Sequence, residues 1–157
     1  INKAVKKGSL SNDEVIKITR DAGINMIGHA ILGLYDDDED SIRKNVDFLR
    51  KHQFEWNNIY PAFPYPGTPF YDKYVGEGII EEPRSWEEYG LYSYECKPLP
   101  TKHLTSAQVL SLRDELFNEY YGDQNVQDNL RIKFGQKTID HINEMLSVKL
   151  KRKILGD

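Results

Sequence analysis

Residues 25–71 constrain the fold more than any other stretch, because they have the pattern of a strand, a helix and a second strand. Residues 25–33 are apolar at nearly every position, which is typical of a strand covered on both faces. A helix of about three turns follows, and a second strand is predicted at residues 59–63. Strands joined through a helix are parallel, and their C-terminal ends meet at one sheet edge. The pattern therefore predicts a βαβ unit with a ligand site at that edge.

Alternation divides the side chains of the first predicted strand between two faces. One face has the small, smooth surface expected under a packed helix, formed by Met26, Gly28, Ala30 and Leu32. The other face carries the polar groups and is assigned to the interior or ligand side, with Asn25, Ile27, His29, Ile31 and Gly33. A lone histidine in a strand is more often a core residue than a catalyst. His29 is nevertheless the best placed of the four histidines for a functional role, because its side of the strand also holds Ile31 and Gly33. The sequence shows no Ser/His/Asp or Cys/His arrangement.

Five consecutive acidic residues, 36–40, follow this strand. Acidic side chains at a helix N-terminus cap its free amides and complement its dipole. The alternative is a Mg²⁺ or Ca²⁺ site, because hard cations bind carboxylate oxygens. Capping is favoured, since consecutive side chains cannot all converge on one ion and no glycine-turned calcium loop is present.

Prolines end the second predicted strand and shape the turn after it. Pro61 cannot donate to a sheet ladder, so the chain leaves the sheet or lies at its margin there. Three further prolines fix the backbone around Gly67 and give a stiff turn: Pro64, Pro66 and Pro69. Packing against the rim of the fold and closing over a flat ligand remain equally open for this turn.

The remaining chain is predicted to be mainly helical. Ser11 and Glu14 form a capping box for a first helix that ends near Gly23. Residues 81–100 have the loose pattern of an irregular segment, and a capped helix is predicted from Thr105 to about residue 121. A last helical region starts near residue 125, with Gly135 as a possible break. The basic tail is interpreted as a solvated helix end, with nucleic-acid or membrane contact as the alternative: Lys149, Lys151, Arg152 and Lys153.

Composition excludes several classes of function. The chain has 157 residues and a net charge of −4, without the basic surplus of a nucleic-acid-binding protein. No apolar run approaches the roughly 20 residues that a membrane span needs, so we expect a cytoplasmic domain. Because the first residue is Ile1 rather than Met, we expect a piece of a longer protein. Cys96 is the single cysteine, so this chain alone can hold no iron–sulfur cluster, and we predict a structural role for it.

Three short motifs point to a family. They are Ala22-Gly23-Ile24, Ile31-Leu32-Gly33-Leu34 and the run from Pro64-Tyr65-Pro66-Gly67 to Thr68-Pro69-Phe70-Tyr71. Together they resemble the later half of the radical S-adenosylmethionine barrel. The resemblance is to the branch that carries an N-terminal cobalamin-binding domain and includes the anaerobic magnesium-protoporphyrin IX monomethyl ester oxidative cyclases. It covers roughly the first 75 residues.

Two departures from the family pattern stand out. Tyr35-Asp36-Asp37 replaces the usual Pro-Gly-Glu after the strand. The three cysteines that hold the [4Fe–4S] cluster in this family are missing, so the chain alone would be inactive.

The resemblance implies a fold and a reaction. Residues 1–78 would be the C-terminal part of a partial (βα) TIM-like barrel with parallel strands, and residues 79–157 a mainly helical region. The full-length protein would be a [4Fe–4S]-dependent radical S-adenosylmethionine enzyme of the oxidative cyclase, oxidoreductase or methyltransferase type, acting on a small molecule. Upstream domains of the same polypeptide would hold the cluster and possibly cobalamin.

The resemblance also assigns residues to a pocket wall. The cofactor would lie against Ile31, Gly33, Leu34, Tyr60 and Ala62, and the substrate near His29 and Tyr65. Gly33 would let the backbone approach the cofactor closely, because it has no Cβ. No catalytic residue and no metal ligand is assigned within the chain.

Two other classes of function remain as alternatives. The first is a non-catalytic interaction or docking domain that uses the aromatic residues of 54–94 as a binding surface. The second is a Mg²⁺-dependent phosphoryl-transfer domain that uses the acidic run 36–40.

Overall fold

The computed structural model of the protein describes residues 10–157. It contains two strands, six α-helices and short 3₁₀ helices at Trp86–Tyr89 and Lys153–Leu155. The strands are β1 (Ile27–Leu32) and β2 (Trp56–Pro61). The helices are α1 (Asn12–Asp21), α2 (Glu39–His52), α3 (Pro69–Gly76), α4 (Ser106–Gly122), α5 (Gln124–Phe134) and α6 (Gln136–Ser147).

β1 and β2 form a parallel pair, and α2 connects them in the sequence. This arrangement confirms the predicted βαβ unit. The register runs from Ile27 opposite Trp56 to Leu32 opposite Pro61. β2 begins at Trp56, before the predicted residue 59, although its Asn57-Asn58 pair has low strand propensity. Tertiary contacts override this propensity, because the hydroxyl of Tyr121 in α4 bonds both backbone groups of Asn57.

One face of the sheet is covered by α2. Ala30 and Leu32 share a buried core with Ile42, Val46 and Leu49 of this helix. Gly28 lets the side chains of Leu49 and Asn57 come close to the backbone of β1. A Cβ at residue 28 would lie 2.8 Å from Leu49 Cδ2 and 2.2 Å from Asn57 Oδ1. The alternation predicted for β1 is therefore confirmed.

The opposite face of the sheet is open within residues 10–157. Ile27 and Ile31 on β1 keep 58% and 49% of their surface exposed. The prediction of a strand covered on both faces is thus not met by the described residues, because they place helices on one face only.

The C-terminal helices complete the core of the βαβ unit. Leu116, Tyr120, Ile139 and Ile142 belong to the same buried cluster as Leu32. The regions on either side of residue 78 therefore share one core. The predicted break in the last helical region is confirmed, since Gly135 has φ 83° between α5 and α6.

The proline turn is fixed by local hydrogen bonds. Gly67 has φ 81°, and Thr68 N donates to Tyr65 O at 3.2 Å. Thr68 then caps α3, and Pro69 occupies its first turn. Sequence reasoning missed α3, although a threonine followed by proline is a common helix start. Residues 81–100 are irregular apart from one 3₁₀ helix, as predicted.

The interpretation of the basic tail as a solvated helix end is wrong. α6 ends at Ser147, and residues 149–152 are not helical. Arg152 is only 1% exposed, because its guanidinium bonds Asp114 of α4. Among the described helices, none is long and apolar enough to cross a membrane.

Candidate functional site

The open face of the sheet brings the chemistry-bearing side chains of both strands together. Register partners in a parallel pair lie on the same face, so Ile31 lies beside Tyr60 and His29 beside Asn58. His29 Nδ1 is 3.3 Å from Asn58 Nδ2. Tyr60 is 39% exposed and its partner Ile31 49%. The face thus combines flat apolar surface with an imidazole and a carboxamide.

A groove of about 700 Å³ runs along the edge of β1 between α1 and α2. His29, Ile31 and Leu34 line it, together with Asp37 and Phe48. Within residues 10–157, β1 pairs with β2 alone, so its other edge faces this groove. The volume of the groove lies within the range of about 300–1,000 Å³ that is typical of small-molecule sites.

The carboxyl end of β1 is closed by an acidic side chain. Asp37 Oδ2 accepts hydrogen bonds from the amides of Gly33 at 3.1 Å and Leu34 at 2.9 Å. Asp37 Oδ1 accepts from Ser41 Oγ at 2.9 Å. The two amides that a ligand would most readily use at this strand end are therefore already satisfied.

Asp38 caps α2, and Glu39 and Asp40 stand in its first turn, which confirms the favoured interpretation. Asp38 Oδ1 accepts from Ser41 N at 2.8 Å, and Ser41 Oγ accepts from Asp38 N at 3.1 Å. The hydrogen bond from the Ser41 amide lowers the pKa of Asp38. In the part of the chain that the structure describes, no cluster of three or more His, Cys, Asp or Glu side chains is placed to hold a metal ion.

Gly33 is required by the packing of α4. It has φ +80°, and a Cβ there would lie 2.7 Å from Val109 Cγ1. The backbone of the strand end thus approaches α4 closely. This packing against α4 explains the glycine at residue 33 without a bound cofactor.

Ala62 follows the last residue of β2 and is buried, so it does not lie on the open face. It is 8% exposed and packs in a small cluster with Tyr74 and Leu99, against which Leu34 is partly buried. Ala62 O also accepts from Leu99 N at 2.8 Å. The side chain of Tyr74 is fully buried, and burial raises its pKa.

Tyr65 stands in the proline turn and stacks on the segment that follows. Its ring centroid is 5.4 Å from that of Tyr89, with the planes 18° apart. The ring centroid of Trp86 lies 5.6 Å from that of Tyr89, and Trp86 is 77% exposed. The turn therefore packs against a neighbouring segment through Tyr65, which remains 49% exposed.

The structure thus gathers three of the seven predicted site residues on the open face: His29, Ile31 and Tyr60. Gly33 and Leu34 form the strand end. Ala62 is buried beside Tyr74, and Tyr65 lies in the proline turn.

Cys96 is buried, as its predicted structural role requires. It is 1% exposed, and burial raises the pKa of its thiol to about 11. The thiolate, which is the reactive and metal-binding form, is therefore disfavoured at neutral pH.

Sequence reasoning missed a buried charged group formed by Arg113, Asp114 and Arg152. Arg113 and Arg152 are 3% and 1% exposed. Arg113 and Asp114 look like surface residues of a predicted helix, and Arg152 looks like part of a solvated basic tail. No sequence signal pairs residues 38 positions apart.

The chain is similar to a distantly related protein. No family model matches the sequence. An uncharacterized methyltransferase from Pyrococcus horikoshii is 22% identical over 108 residues, which cover 69% of this chain. The matched region spans only 23% of that protein's length.

Proposed function

We propose that the chain is the C-terminal part of the catalytic domain of a radical S-adenosylmethionine enzyme of the methyltransferase type, in which it forms one wall of the cofactor pocket. The observation that carries the proposal is that, within residues 10–157, the two-stranded parallel sheet has an open and largely apolar face, one closed edge and one free edge. The similarity to a methyltransferase supports the choice among reaction types.

Side chains of α4 close the outer edge of β2. Tyr121 Oη accepts from Asn57 N at 3.0 Å and donates to Asn57 O at 2.7 Å. Arg113 Nε donates to Ile59 O at 2.8 Å, and Pro61 has no amide hydrogen to offer. A further strand cannot pair on this side without displacing α4.

The edge of β1 has no such cover among the described residues. Unpaired strand edges are normally paired or covered, because their backbone groups need partners. Strands added next to β1 would extend the sheet over the groove and enclose the open face. We infer that preceding parts of the same polypeptide supply these strands and complete a TIM-like barrel, in line with the longer relative.

The open face suits the flat adenine of S-adenosylmethionine. In this arrangement the adenine lies against Ile31 and Tyr60, and His29 faces the substrate inside the barrel. Asp37 already satisfies the strand-end amides of Gly33 and Leu34. The cofactor would therefore be held by the apolar face more than by these amides.

The residues of this chain do not fit an iron–sulfur cluster. Cluster ligands are thiolates, and Cys96 is buried with a thiol pKa raised to about 11. Ligands for a [4Fe–4S] cluster would have to come from an upstream domain, as would a site for cobalamin.

The test uses the full-length polypeptide purified without oxygen. We expect about four irons per chain, formation of 5′-deoxyadenosine after reduction, and S-adenosylhomocysteine when an acceptor is supplied. Ile31→Ala and Tyr60→Ala should weaken S-adenosylmethionine binding without changing the iron content. The matched control is Ile132→Ala, which removes an apolar side chain that is 83% exposed on α5. Absence of iron would overturn the radical mechanism, and equal affinity in all variants would overturn the proposed pocket wall.

A docking domain is the second candidate, favoured by two strongly exposed aromatic residues. Trp86 is 77% exposed and Tyr92 71% exposed. Such residues are enriched in protein interfaces. A full-length polypeptide that lacks iron and fails to bind S-adenosylmethionine would leave this candidate standing.

A further inference from the structure

A second cleft, of about 670 Å³, lies between α4, α6 and the C-terminal tail. Its volume is typical of small-molecule sites, which occupy about 300–1,000 Å³. The residues that line it include none of those on the open face of the sheet. A ligand in this cleft would therefore be distinct from one in the pocket proposed above.

The wall of this cleft is largely apolar. Five side chains from α4, α6 and the tail provide the apolar surface: Phe117, Met145, Val148, Leu150 and Leu155. Val148 is 61% exposed and Leu155 41% exposed. Apolar surface of this kind is expected to bind the hydrocarbon part of a ligand.

Two buried guanidinium groups in this cleft share a single carboxylate. Arg113 Nη1 lies 2.9 Å from Asp114 Oδ1. Arg152 binds the same carboxylate through Nε at 2.9 Å and Nη2 at 3.0 Å. Both arginines are at least nine-tenths buried. Two positive charges against one negative charge leave a surplus positive charge at the base of the cleft.

Among the guanidinium nitrogens of this pair, Nη2 of Arg113 is the one without an acceptor in residues 10–157. All three nitrogens of Arg152 are engaged, since Nη1 donates to Leu91 O at 2.5 Å. Arg113 uses Nε for Ile59 O and Nη1 for Asp114. Within residues 10–157, no acceptor bonds Arg113 Nη2, and this atom is not among the fully enclosed ones. It therefore remains available to a ligand.

The other charges around the cleft are already paired. Lys149 Nζ lies 2.8 Å from Asp157 Oδ1 at the tail. Glu115 accepts from Arg43 of α2 at 2.7 Å. Neither acidic side chain is placed to neutralise Arg113.

We propose that this cleft binds a small organic acid that has an apolar body and a single carboxylate. The carboxylate accepts a charge-assisted hydrogen bond from Arg113 Nη2, and the body lies on the apolar wall next to Phe117. A carboxylate supplies the anionic partner that the second guanidinium lacks, and arginine donors are well suited to that geometry. This cleft includes none of the residues of the proposed cofactor wall, although Arg113 also closes the outer edge of β2 through Ile59 O.

A matched pair of probes tests the charge requirement. The pair is 4-phenylbutanoate and its uncharged analogue 4-phenylbutanamide, titrated into the isotope-labelled chain and followed by NMR. The carboxylate should produce saturable shifts at Ser111, Phe117 and Val148, with an affinity roughly tenfold above that of the amide. Equal affinities, or no saturable binding of the carboxylate at millimolar concentrations, would overturn the proposal.

Blocking variants test the location without touching Arg113. Ser111 is exposed on α4 and lines the cleft, so Ser111→Trp should fill it and abolish binding. Val148→Trp blocks the cleft from the tail and serves if the first variant fails to fold. Ser85→Trp is the control, because Ser85 is exposed, makes no side-chain capping bond and lies outside the lining. Undiminished binding in a folded blocking variant would contradict the proposal.

Discussion

The hydroxyl of Tyr121 bonds both backbone groups of Asn57, accepting from its amide at 3.0 Å and donating to its carbonyl at 2.7 Å. One side chain of α4 thereby takes the place that a neighbouring strand would occupy. Asn57 is 2% exposed, and its side-chain nitrogen donates to the hydroxyl of Tyr120. The sheet therefore ends at β2.

Removing this hydroxyl should destabilise the protein with little change in shape. Tyr121→Phe leaves a buried amide and a buried carbonyl without their partner, and such a loss costs about 1–3 kcal/mol. Urea unfolding measures the change. Tyr92→Phe is the control, because Tyr92 is 71% exposed. Equal stabilities of the two variants would show that water replaces the hydroxyl without cost.

A side chain at Gly33 should clash with α4. Gly33→Ala combines a positive φ with a Cβ 2.7 Å from Val109 Cγ1, whereas Gly67→Ala has a similar φ and no atom within 4 Å. Both variants should lose about 1 kcal/mol from backbone strain, and Gly33→Ala should lose about 1–3 kcal/mol more from overpacking. Thermal unfolding of the two variants measures this difference in stability.

A double variant tests the origin of the Gly33 clash. Val109→Ala removes the opposing methyl groups, so the extra loss from Gly33→Ala should shrink in the Val109→Ala background. Strict additivity of the two changes would point to another cause.

Replacing Asp37 should loosen the end of β1. Asp37→Ala leaves the amides of Gly33 and Leu34 without their acceptor, with an expected loss of about 1–3 kcal/mol. Hydrogen exchange at these two amides should accelerate. Asp36→Ala is the comparison, because Asp36 is exposed in the same turn. Unchanged exchange in Asp37→Ala would disprove the role of this carboxylate.

Alkaline pH should destabilise the protein through Cys96. Burial raises its thiol pKa from 9.0 to about 11, so the unfolded chain releases the proton first as pH rises. The contribution to stability is thus fully present below pH 9 and is lost between pH 9 and about pH 11. The loss approaches about 1.4 kcal/mol per pH unit within that window.

Cys96→Ala provides the comparison for this pH dependence. The variant should be less stable at pH 7, because it leaves space in the core, but its stability should fall less steeply from pH 9 to pH 10. Urea unfolding at several pH values measures the slopes. Parallel slopes would assign the alkaline loss to other groups, such as Tyr121, whose pKa burial raises to about 12.

The local features of the fold were predictable because each depends on neighbouring residues. The capping box of Ser11 and Glu14 involves residues three positions apart. Alternation along β1 separated Gly28 and Ala30 from His29. Positive φ at Gly67 and Gly135 likewise follows from the freedom of glycine at a turn or a helix end.

The candidate site was predictable only in part. Alternation placed His29 and Ile31 on the ligand side, and the structure puts them with Tyr60 on the open face. Ala62 was assigned to the same wall, but it lies in a small buried cluster with Tyr74. The reason is that Tyr74 belongs to α3, a helix that the sequence reading did not include.

The strand–helix–strand order, the caps and the stiff proline turn follow from the sequence alone, because they depend on hydrophobic periodicity and backbone preference over a few residues. Three other features became visible in the folded protein: Tyr121 closes the sheet edge, Val109 requires a glycine at residue 33, and Arg152 is buried on Asp114. The partners in these contacts are 38 to 76 positions apart. Such pairings depend on how helices and strands pack, and no local pattern of residues encodes that packing.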